Sequence, residues 1–207
     1  MLKIDTLPLG NYQTNCYIVR EENSGSCVVI DPGFEAQTIL AFLEKKGLCL
    51  DAILLTHGHF DHVGAVKELY KATGCRVWMR EGDYSQPKGP SSTFFYPLAN
   101  CTEPAVDFCE EGEQICAGGL TFTVWETPGH TWGSVCYLCK DAMFTGDTLF
   151  AGSCGRTDLP GGDARQLRYS LARLSKTEGE YAVYPGHGES SSLSAEKLTN
   201  PYLRGFV

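Results

Sequence analysis

Three of the five histidines in this chain lie in one seven-residue segment, together with an aspartate. The segment, residues 56–62, reads THGHFDH and lies between an apolar run and a pattern typical of an amphipathic helix. Imidazole nitrogens and carboxylate oxygens are good ligands for Zn²⁺, Fe²⁺ and Mn²⁺. His57 and His59 are two apart in an extended chain and can project to the same side, whereas Asp61 and His62 turn away as the helix begins. One short segment can therefore serve two adjacent metal ions.

The other two histidines share a Pro-Gly-His pattern, and a second aspartate stands in a comparable position. His130 and His187 each end such a tripeptide just after a predicted strand. Proline and glycine turn the chain sharply and leave the imidazole at the rim of the sheet, where open α/β sheets place their sites. Asp147 follows an apolar strand and Gly146, which permits a close approach. Each residue alone could be a capping or surface residue, but beside the histidine segment they are interpreted as ligands, with Asp147 bridging two cations.

Short strands and amphipathic helices must position these residues. Runs of β-branched and aromatic residues bounded by turn residues predict strands, and apolar periodicity with terminal glycines predicts helices. The predicted strands span residues 16–20, 27–30, 52–56, 76–79, 120–125, 135–138, 142–145 and 181–184, and the predicted helices span residues 36–46, 62–73 and 164–174, with a short fourth after Ser194. This alternation, with early hairpins, predicts a layered α/β or mixed-sheet domain. The irregular segment at residues 81–101 is either a functional loop or an ordered surface excursion.

The overall composition narrows the partners and the compartment. A formal net charge of −8 disfavours nucleic acid and anionic membranes as partners, although an arginine or a metal ion can reverse the sign inside a cleft. The N-terminus lacks the pattern of a signal peptide, and no apolar stretch reaches the roughly 18 residues of a membrane span. We therefore expect a cytoplasmic protein whose ten cysteines stay reduced. Cys136 and Cys139 form a CxxC on a predicted strand, where they would face opposite sides, so no shared metal is expected there.

The order of these motifs resembles the metallo-β-lactamase-fold superfamily, and residues 128–134 and 144–150 are most similar to its glyoxalase II (hydroxyacylglutathione hydrolase) branch. The resemblance covers almost the whole chain. It implies an αββα sandwich, in which two mixed β-sheets are flanked by helices and the metals lie at one rim. It also implies that Asp31, in a VIDPG motif, supports the metal loop. The ligand sets that it implies are His57, His59, His130 and Asp147 for one metal, and Asp61, His62, His187 and the shared Asp147 for the other.

Two features depart from full-length glyoxalase II. That enzyme carries a C-terminal helical domain that helps to hold glutathione, whereas only 20 residues follow His187 here. We therefore expect a single domain over residues 1–207 without that helical domain. Residues 152–158, GSCGRTD, look more like the short glyoxalase II-like hydrolases and also like persulfide dioxygenases. Arg156 in this stretch could bind a substrate carboxylate in bidentate fashion, or could instead pair with Asp158 or Asp163 and fix the loop.

The predicted reaction is hydrolysis of a small thioester, hydroxyacylglutathione-like and acidic, or of a related ester. Two divalent ions are expected, zinc first, with iron or manganese as alternatives. Coordination lowers the pKa of a bound water to about 7, so a metal-bound hydroxide oriented by Asp61 would be the nucleophile. The alternative is a persulfide dioxygenase-like oxidoreductase with one Fe²⁺ held by His57, His130 and Asp147. A purely structural metal module is less consistent with a ligand set that lacks thiolates. Either a monomer or a homodimer is compatible with this reading.

Overall fold

The computed structural model describes residues 1–84 and 105–206, which form two six-stranded sheets packed face to face. The first sheet contains, in spatial order, β1 (Leu2–Leu9), β2 (Thr14–Glu21), β3 (Ser26–Ile30), β4 (Cys49–Leu54), β5 (Arg76–Met79) and β6 (Val106–Phe108). The following strands are β7 (Gln114–Ala117), β8 (Leu120–Glu126), β9 (Val135–Cys139), β10 (Ala142–Gly146), the hairpin β11 (Leu149–Phe150) and β12 (Ser153–Cys154), β13 (Ala182–Pro185) and β14 (Ser191–Ser192). The second sheet has the order β14-β13-β10-β9-β8-β7. Both sheets mix parallel and antiparallel pairs.

Helices cover the outer face of each sheet. They are α1 (Ala36–Lys46), α2 (Phe60–Val63), α3 (Val66–Thr73), α4 (Glu81–Tyr84), α5 (Ala164–Ser175) and α6 (Leu193–Thr199), followed by a 3₁₀ turn at Arg204–Phe206. Residues of α1 and α3 pack on the first sheet, and residues of α5 and α6 pack on the second. The predicted αββα arrangement of two mixed sheets flanked by helices is confirmed. Within residues 1–84 and 105–206, none of the helices is long and apolar enough to span a bilayer.

Side-chain alternation along the strands divides the core into three layers. In β2, Cys16 and Ile18 face the helices while Tyr17 and Val19 enter the layer between the sheets. The same alternation in β9 places Cys136 toward α5 and Cys139 between the sheets. The two cysteines of the CxxC therefore face opposite sides, as predicted, because successive side chains of a strand alternate. The nine cysteines in the described residues are all free thiols.

Strand direction brings four chain segments to one rim. Strand β8 is antiparallel to β9, β9 is antiparallel to β10, and β10 is parallel to β13, so β8, β10 and β13 all end at the same edge. The first sheet meets this edge where the Val135 amide donates to the Thr56 carbonyl over 2.8 Å and where Thr14 forms a bridge with His187. The segments that follow β4, β8, β10 and β13 therefore converge.

The predicted helix at residues 62–73 is present but interrupted, because the structure has two helices there. Helix α2 ends at Val63 and α3 begins at Val66. Between them, the Ala65 amide donates to the Pro32 carbonyl over 3.0 Å. A Cβ atom at Gly64 would lie 2.2 Å from the Gly33 carbonyl oxygen, so only glycine permits this approach. Contact with the loop after β3 thus replaces a turn of continuous helix.

Two further predictions need adjustment. The strand predicted for residues 52–56 ends at Leu54, since the Thr56 amide donates to the Asp31 carboxylate over 2.8 Å instead of continuing a ladder. The segment predicted as irregular, residues 81–101, begins with helix α4, and its remainder lies outside the described residues. In contrast, α5 matches its prediction closely. Its N-cap is Asp163, which accepts hydrogen bonds from the amides of Arg165 and Gln166.

Candidate metal centre

Three imidazole nitrogens converge where the loops after β4 and β8 meet. His59 Nδ1 lies 3.1 Å from His57 Nε2 and 2.9 Å from His130 Nε2, and all three rings are buried. Two nitrogens bound to one tetrahedral Zn²⁺ at 2.0–2.1 Å would be about 3.3 Å apart. The spacing of this first cluster (His57, His59 and His130) therefore suits one cation, and these atoms all lie within 4.8 Å of one another.

A second cluster (Asp61, His62 and His187) stands beside the first. Asp61 Oδ2 lies 3.3 Å from His187 Nε2 and 3.7 Å from His62 Nε2. The two imidazole nitrogens of this cluster are 3.4 Å apart. The distances again match the separation of ligand atoms around a single small cation.

Asp147 lies between the two clusters. Its Oδ2 is 3.4 Å from His130 Nε2 and 3.7 Å from His187 Nε2, and its Oδ1 is 3.4 Å from His62 Nε2. This Oδ1 is buried and accepts no well-formed hydrogen bond from the part of the chain that the structure describes. Gly186 leaves open the space beside it, because a Cβ atom there would lie 2.3 Å from Asp147 Oδ1. A buried, charged carboxylate oxygen needs a partner, and a bound cation between Asp147 and the imidazole nitrogens would supply one.

In His57, His130 and His187, the ring nitrogen that points away from the clustered ligand atoms has a polar partner. His130 Nδ1 donates to the Arg156 carbonyl over 2.8 Å, and His187 Nδ1 donates to the Tyr12 carbonyl over 3.2 Å. A carbonyl only accepts, so Nδ1 carries a proton in both rings, and in the neutral form of each ring the lone pair is on Nε2, which faces the site. His57 Nδ1 lies 3.1 Å from Thr56 Oγ1. Such partners fix the orientation and the tautomer of metal-binding histidines.

Asp31, for which the sequence resemblance implies a supporting role, contacts His62 of the second cluster. Its carboxylate lies 2.9 Å from His62 Nδ1 and accepts from the amide and the hydroxyl of Thr56 over 2.8 and 2.6 Å. Asp31, His57 and His62 also lie close enough to form a third possible ligand group. We favour the supporting role, because Asp31 contacts the nitrogen of His62 that points away from Asp147 and both carboxylate oxygens are already engaged.

The electrostatics favour the ligand forms of several of these side chains. Burial lowers the pKa of His57 well below its ordinary value and that of His59 to about 3, so both rings are neutral. Burial alone would raise the pKa of Asp147, but the nearby His62 reverses this and holds it well below the ordinary range. In Asp61, too, burial is outweighed, here by the hydrogen bond with His187, and its pKa is lowered. Neutral imidazoles and ionised carboxylates are the forms that bind metal ions.

A cavity of about 470 Å³ opens over both clusters. Its remaining walls are mainly apolar and come from Tyr12, Phe60, Phe150, Cys154 and Leu159, with Arg156 at one side. Two larger cavities, of about 620 and 590 Å³, lie along α5 and contain none of the seven clustered residues. The cavity of about 470 Å³ is lined by residues of both clusters, and its volume suits a small molecule.

Arg156 is paired in this structure. Its guanidinium donates two hydrogen bonds to Asp158, both 2.7 Å long, and the two side chains are 60% and 67% exposed. Of the two pairing partners expected from the sequence, Asp158 is therefore the one that contacts Arg156, while Asp163 caps α5. Arg156 is also one of the residues that line the cavity.

Sequence reasoning missed Asp83 and Thr14. Asp83 accepts hydrogen bonds from both loops of the first cluster, and Thr14 Oγ1 donates to Asp61 over 3.2 Å. Nothing in the local sequence distinguishes either residue from an ordinary surface aspartate or strand threonine. Their partners lie 25 to 50 positions away along the chain, which no short motif reveals.

Comparison with known proteins identifies the family. Residues 9–187 match the model of the metallo-beta-lactamase superfamily. An uncharacterized protein of Mycobacterium tuberculosis is 36% identical, and hydroxyacylglutathione hydrolase GloC of Haemophilus influenzae is 34% identical; each match covers 98% of both chains. The chain belongs to the metallo-beta-lactamase superfamily, and its relatives include proteins named hydroxyacylglutathione hydrolase, so the resemblance seen in the motifs is confirmed.

Solved structures agree with this placement. The B3 metallo-beta-lactamase BLEG-1 superposes with a TM-score of 0.85 at 34% identity, covering 98% of this chain and 99% of the other. TTHA1623, solved in a di-iron-bound form, has a TM-score of 0.80 at 38% identity and coverage of 96% and 100%. ETHE1 from Myxococcus xanthus has a TM-score of 0.80 at 32% identity and coverage of 98% and 85%.

Proposed function

We propose that this protein hydrolyses a small acidic thioester, hydroxyacylglutathione-like, or a related ester, with two divalent metal ions. The observation that carries the proposal is the pair of adjoining ligand clusters that share Asp147 at the base of one cavity. The relative GloC, which matches this chain along 98% of both sequences, is named for the same reaction class. The cavity of about 470 Å³ suits a small molecule.

The chain's own residues would hold the ions and orient the reactants. The first cluster with Asp147 would hold one ion and the second cluster with Asp147 the other. Two such ions supply an activated water and a polarised carbonyl when they are bound. Zinc is the expected metal for this nitrogen and oxygen set, while iron is supported by the di-iron neighbour and manganese by ligand type.

Asp61 would orient the attacking hydroxide and accept its hydrogen bond. It is ionised, only 9% exposed, and held by Thr14 Oγ1 and His187 Nε2 at 3.2 and 3.3 Å. Because Asp61 also lines the cavity, its carboxylate could accept a hydrogen bond from the cavity side. A thiolate leaves readily, so the reaction needs no strong general acid.

Arg156 would bind the carboxylate of an acidic substrate. Arg156 lines the cavity and its side chain is exposed. Its guanidinium already holds the Asp158 carboxylate in the bidentate geometry that a substrate carboxylate would use. The substrate carboxylate would then replace Asp158 as the partner of the Arg156 guanidinium.

The proposal is tested by turnover of a hydroxyacylglutathione thioester by the zinc-loaded protein. We expect release of a thiol that stops when a chelator removes the metal and returns when zinc is restored. A β-lactam and a neutral thioester serve as comparison substrates. Zinc-loaded protein that releases no thiol from any thioester would overturn the proposal.

A second candidate is an oxidoreductase with one Fe²⁺. His57, His130 and Asp147 could supply two histidines and one carboxylate, and the likeness to ETHE1 favours this alternative. Oxygen uptake by the iron-loaded protein with a glutathione persulfide distinguishes the candidates. Uptake with one iron per chain and no thioester hydrolysis would favour the oxidoreductase.

A further inference from the structure

Asp83 is a buried carboxylate in the short helix α4, outside both metal-binding clusters. It is 4% exposed. Its Oδ2 accepts from the Gly58 amide over 2.9 Å and from Thr131 Oγ1 over 2.6 Å, and its Oδ1 accepts from the Gly133 amide over 2.8 Å. Both oxygens of one carboxylate are therefore used to join two loops.

The loops that Asp83 joins carry every member of the first cluster. Gly58 lies between His57 and His59, and Thr131 directly follows His130. The fit at this junction is tight, because a Cβ atom at Gly133 would lie 2.7 Å from the Asp83 carboxyl carbon. Displacing this carboxylate would free the two loops to move apart and would change the spacing of their three imidazoles.

The contacts of Asp83 suit its ionised form. The Gly58 and Gly133 amides donate and the Thr131 hydroxyl can donate, so an ionised carboxylate satisfies all three as an acceptor. Burial raises the pKa of Asp83, and the hydrogen bonds from Thr131, Gly58 and Gly133 oppose that shift. A buried carboxylate on three neutral donors is costly to keep, so its placement between two ligand loops points to a role in the site.

Asp31 has the same relation to the other half of the site. It too is buried, at 2% exposed, and its oxygens accept from Thr56 and contact His62 of the second cluster. Each cluster thus has one buried carboxylate behind it. Asp31 contacts the His62 ring directly, whereas Asp83 contacts the Gly58 and Gly133 amides and the Thr131 hydroxyl and no ring.

We infer that Asp83 is a positioning residue for the first cluster, as Asp31 is for the second, and that its loss weakens binding of one metal ion more than the other. The inference rests on the metal-binding part of the proposed function and not on the substrate. Loss of a residue that orients metal ligands typically costs 10–100-fold in affinity.

The histidine rings themselves provide the measurement. All five histidines of the chain belong to the two clusters, so ring resonances in NMR spectra report each cluster separately. Metal-free protein is titrated with Zn²⁺ at free concentrations fixed by a chelator buffer. For Asp83→Asn we expect half-saturation of the first-cluster signals at about 10–100-fold higher free Zn²⁺, with the second-cluster signals shifted less than about threefold. Asp31→Asn should shift the second-cluster signals more than Asp83→Asn does, because Asp31 contacts His62, and the first-cluster signals should also move, because the Thr56 hydroxyl joins Asp31 to His57.

Glu196→Gln is the matched control. Glu196 is 3% exposed and also accepts three hydrogen bonds, from the Gly152 amide, Ser191 Oγ and Asn200 Nδ2, which lie outside the loops of the first cluster. This variant should leave zinc binding by both clusters within about threefold of the wild type, whatever it does to the melting temperature.

A second variant covers the case in which Asp83→Asn does not fold. Thr131→Val removes one donor to Asp83 while keeping the side-chain shape, and it should shift the first-cluster signals in the same direction by a smaller factor. Equal shifts of both clusters, or no shift in either variant that folds, would overturn the inference. Thioester turnover is measured separately: zinc-bound wild type without turnover would sink the proposed hydrolase and leave this inference standing.

Discussion

The pairing of Arg156 with Asp158 leads to a prediction in which two substitutions act in opposite directions. If Arg156 binds a substrate carboxylate, Asp158 competes for the same guanidinium. The hydrogen bond from Arg156 lowers the pKa of Asp158 to about 2, so this competitor stays ionised throughout the neutral range. Arg156→Ala should then raise KM for an anionic thioester about tenfold, while Asp158→Asn should leave that KM unchanged or lower it a few-fold.

The exposure of the pair sets the expected effect on stability. Both side chains are more than half exposed, and such ion pairs contribute little to folding because water and salt screen them. Either substitution should therefore change the melting temperature by less than about 3 °C. Replacing the anionic thioester with a neutral one should abolish the difference in KM between Arg156→Ala and the wild type.

The competing interpretation, in which Arg156 only fixes the loop, predicts a different pattern of results. If Arg156 and Asp158 only fix the loop at residues 152–158, both substitutions should impair both substrates alike and lower the melting temperature together. Steady-state kinetics of the two variants with the paired substrates, together with thermal melts, separate the two cases. Equal losses for neutral and anionic thioesters would refute the anchoring role and leave the substrate carboxylate without an assigned partner.

Three further predictions concern the site and the cysteines. Asp61→Asn should lower kcat at least about 10²-fold while a substantial part of the metal stays bound, and unchanged turnover would rule out its catalytic role. Gly186→Ala should reduce metal content measured by elemental analysis, because the new Cβ would lie 2.3 Å from Asp147 Oδ1 and 2.7 Å from His62 Cε1. In the control, Gly205→Ala, the new Cβ meets no atom within 4 Å, and this variant should retain full metal. Equal metal content in the two variants would contradict the inference that Gly186 leaves space beside Asp147. All ten cysteines should titrate as free thiols in the denatured protein, and several native disulfides would contradict a reducing compartment.

Local periodicity predicted the elements that are held by local contacts. Helix α1 has the expected bounds because its apolar positions recur with the helical period and Gly47 supplies the left-handed C-cap, at φ 64°. Strand β1 was not predicted, because this edge strand of the sheet contains Pro8 and buries only Leu9 fully. The break between α2 and α3 was missed for a related reason. It depends on Pro32 and Gly33, a segment that the local helical pattern does not include.

Residue type predicted the members of the two clusters more fully than it predicted the residues that contact them. Histidines are few in this chain, so their concentration in one segment and in two repeated turns was informative. Asp83 had no such signal, since its partners Gly58, Thr131 and Gly133 lie 25, 48 and 50 positions away. The partner of Arg156 could not be predicted either, because the sequence alone does not show which of the two nearby aspartates, Asp158 or Asp163, the folded loop brings next to the guanidinium.

The most direct test of a shared two-metal site is anomalous X-ray scattering from zinc-loaded crystals at the zinc absorption edge. The account predicts two peaks per chain about 3.5 Å apart, one at the first cluster and one at the second, with Asp147 between them. A single peak in fully loaded crystals, with the rings of His62 and His187 turned away from any metal, would contradict it.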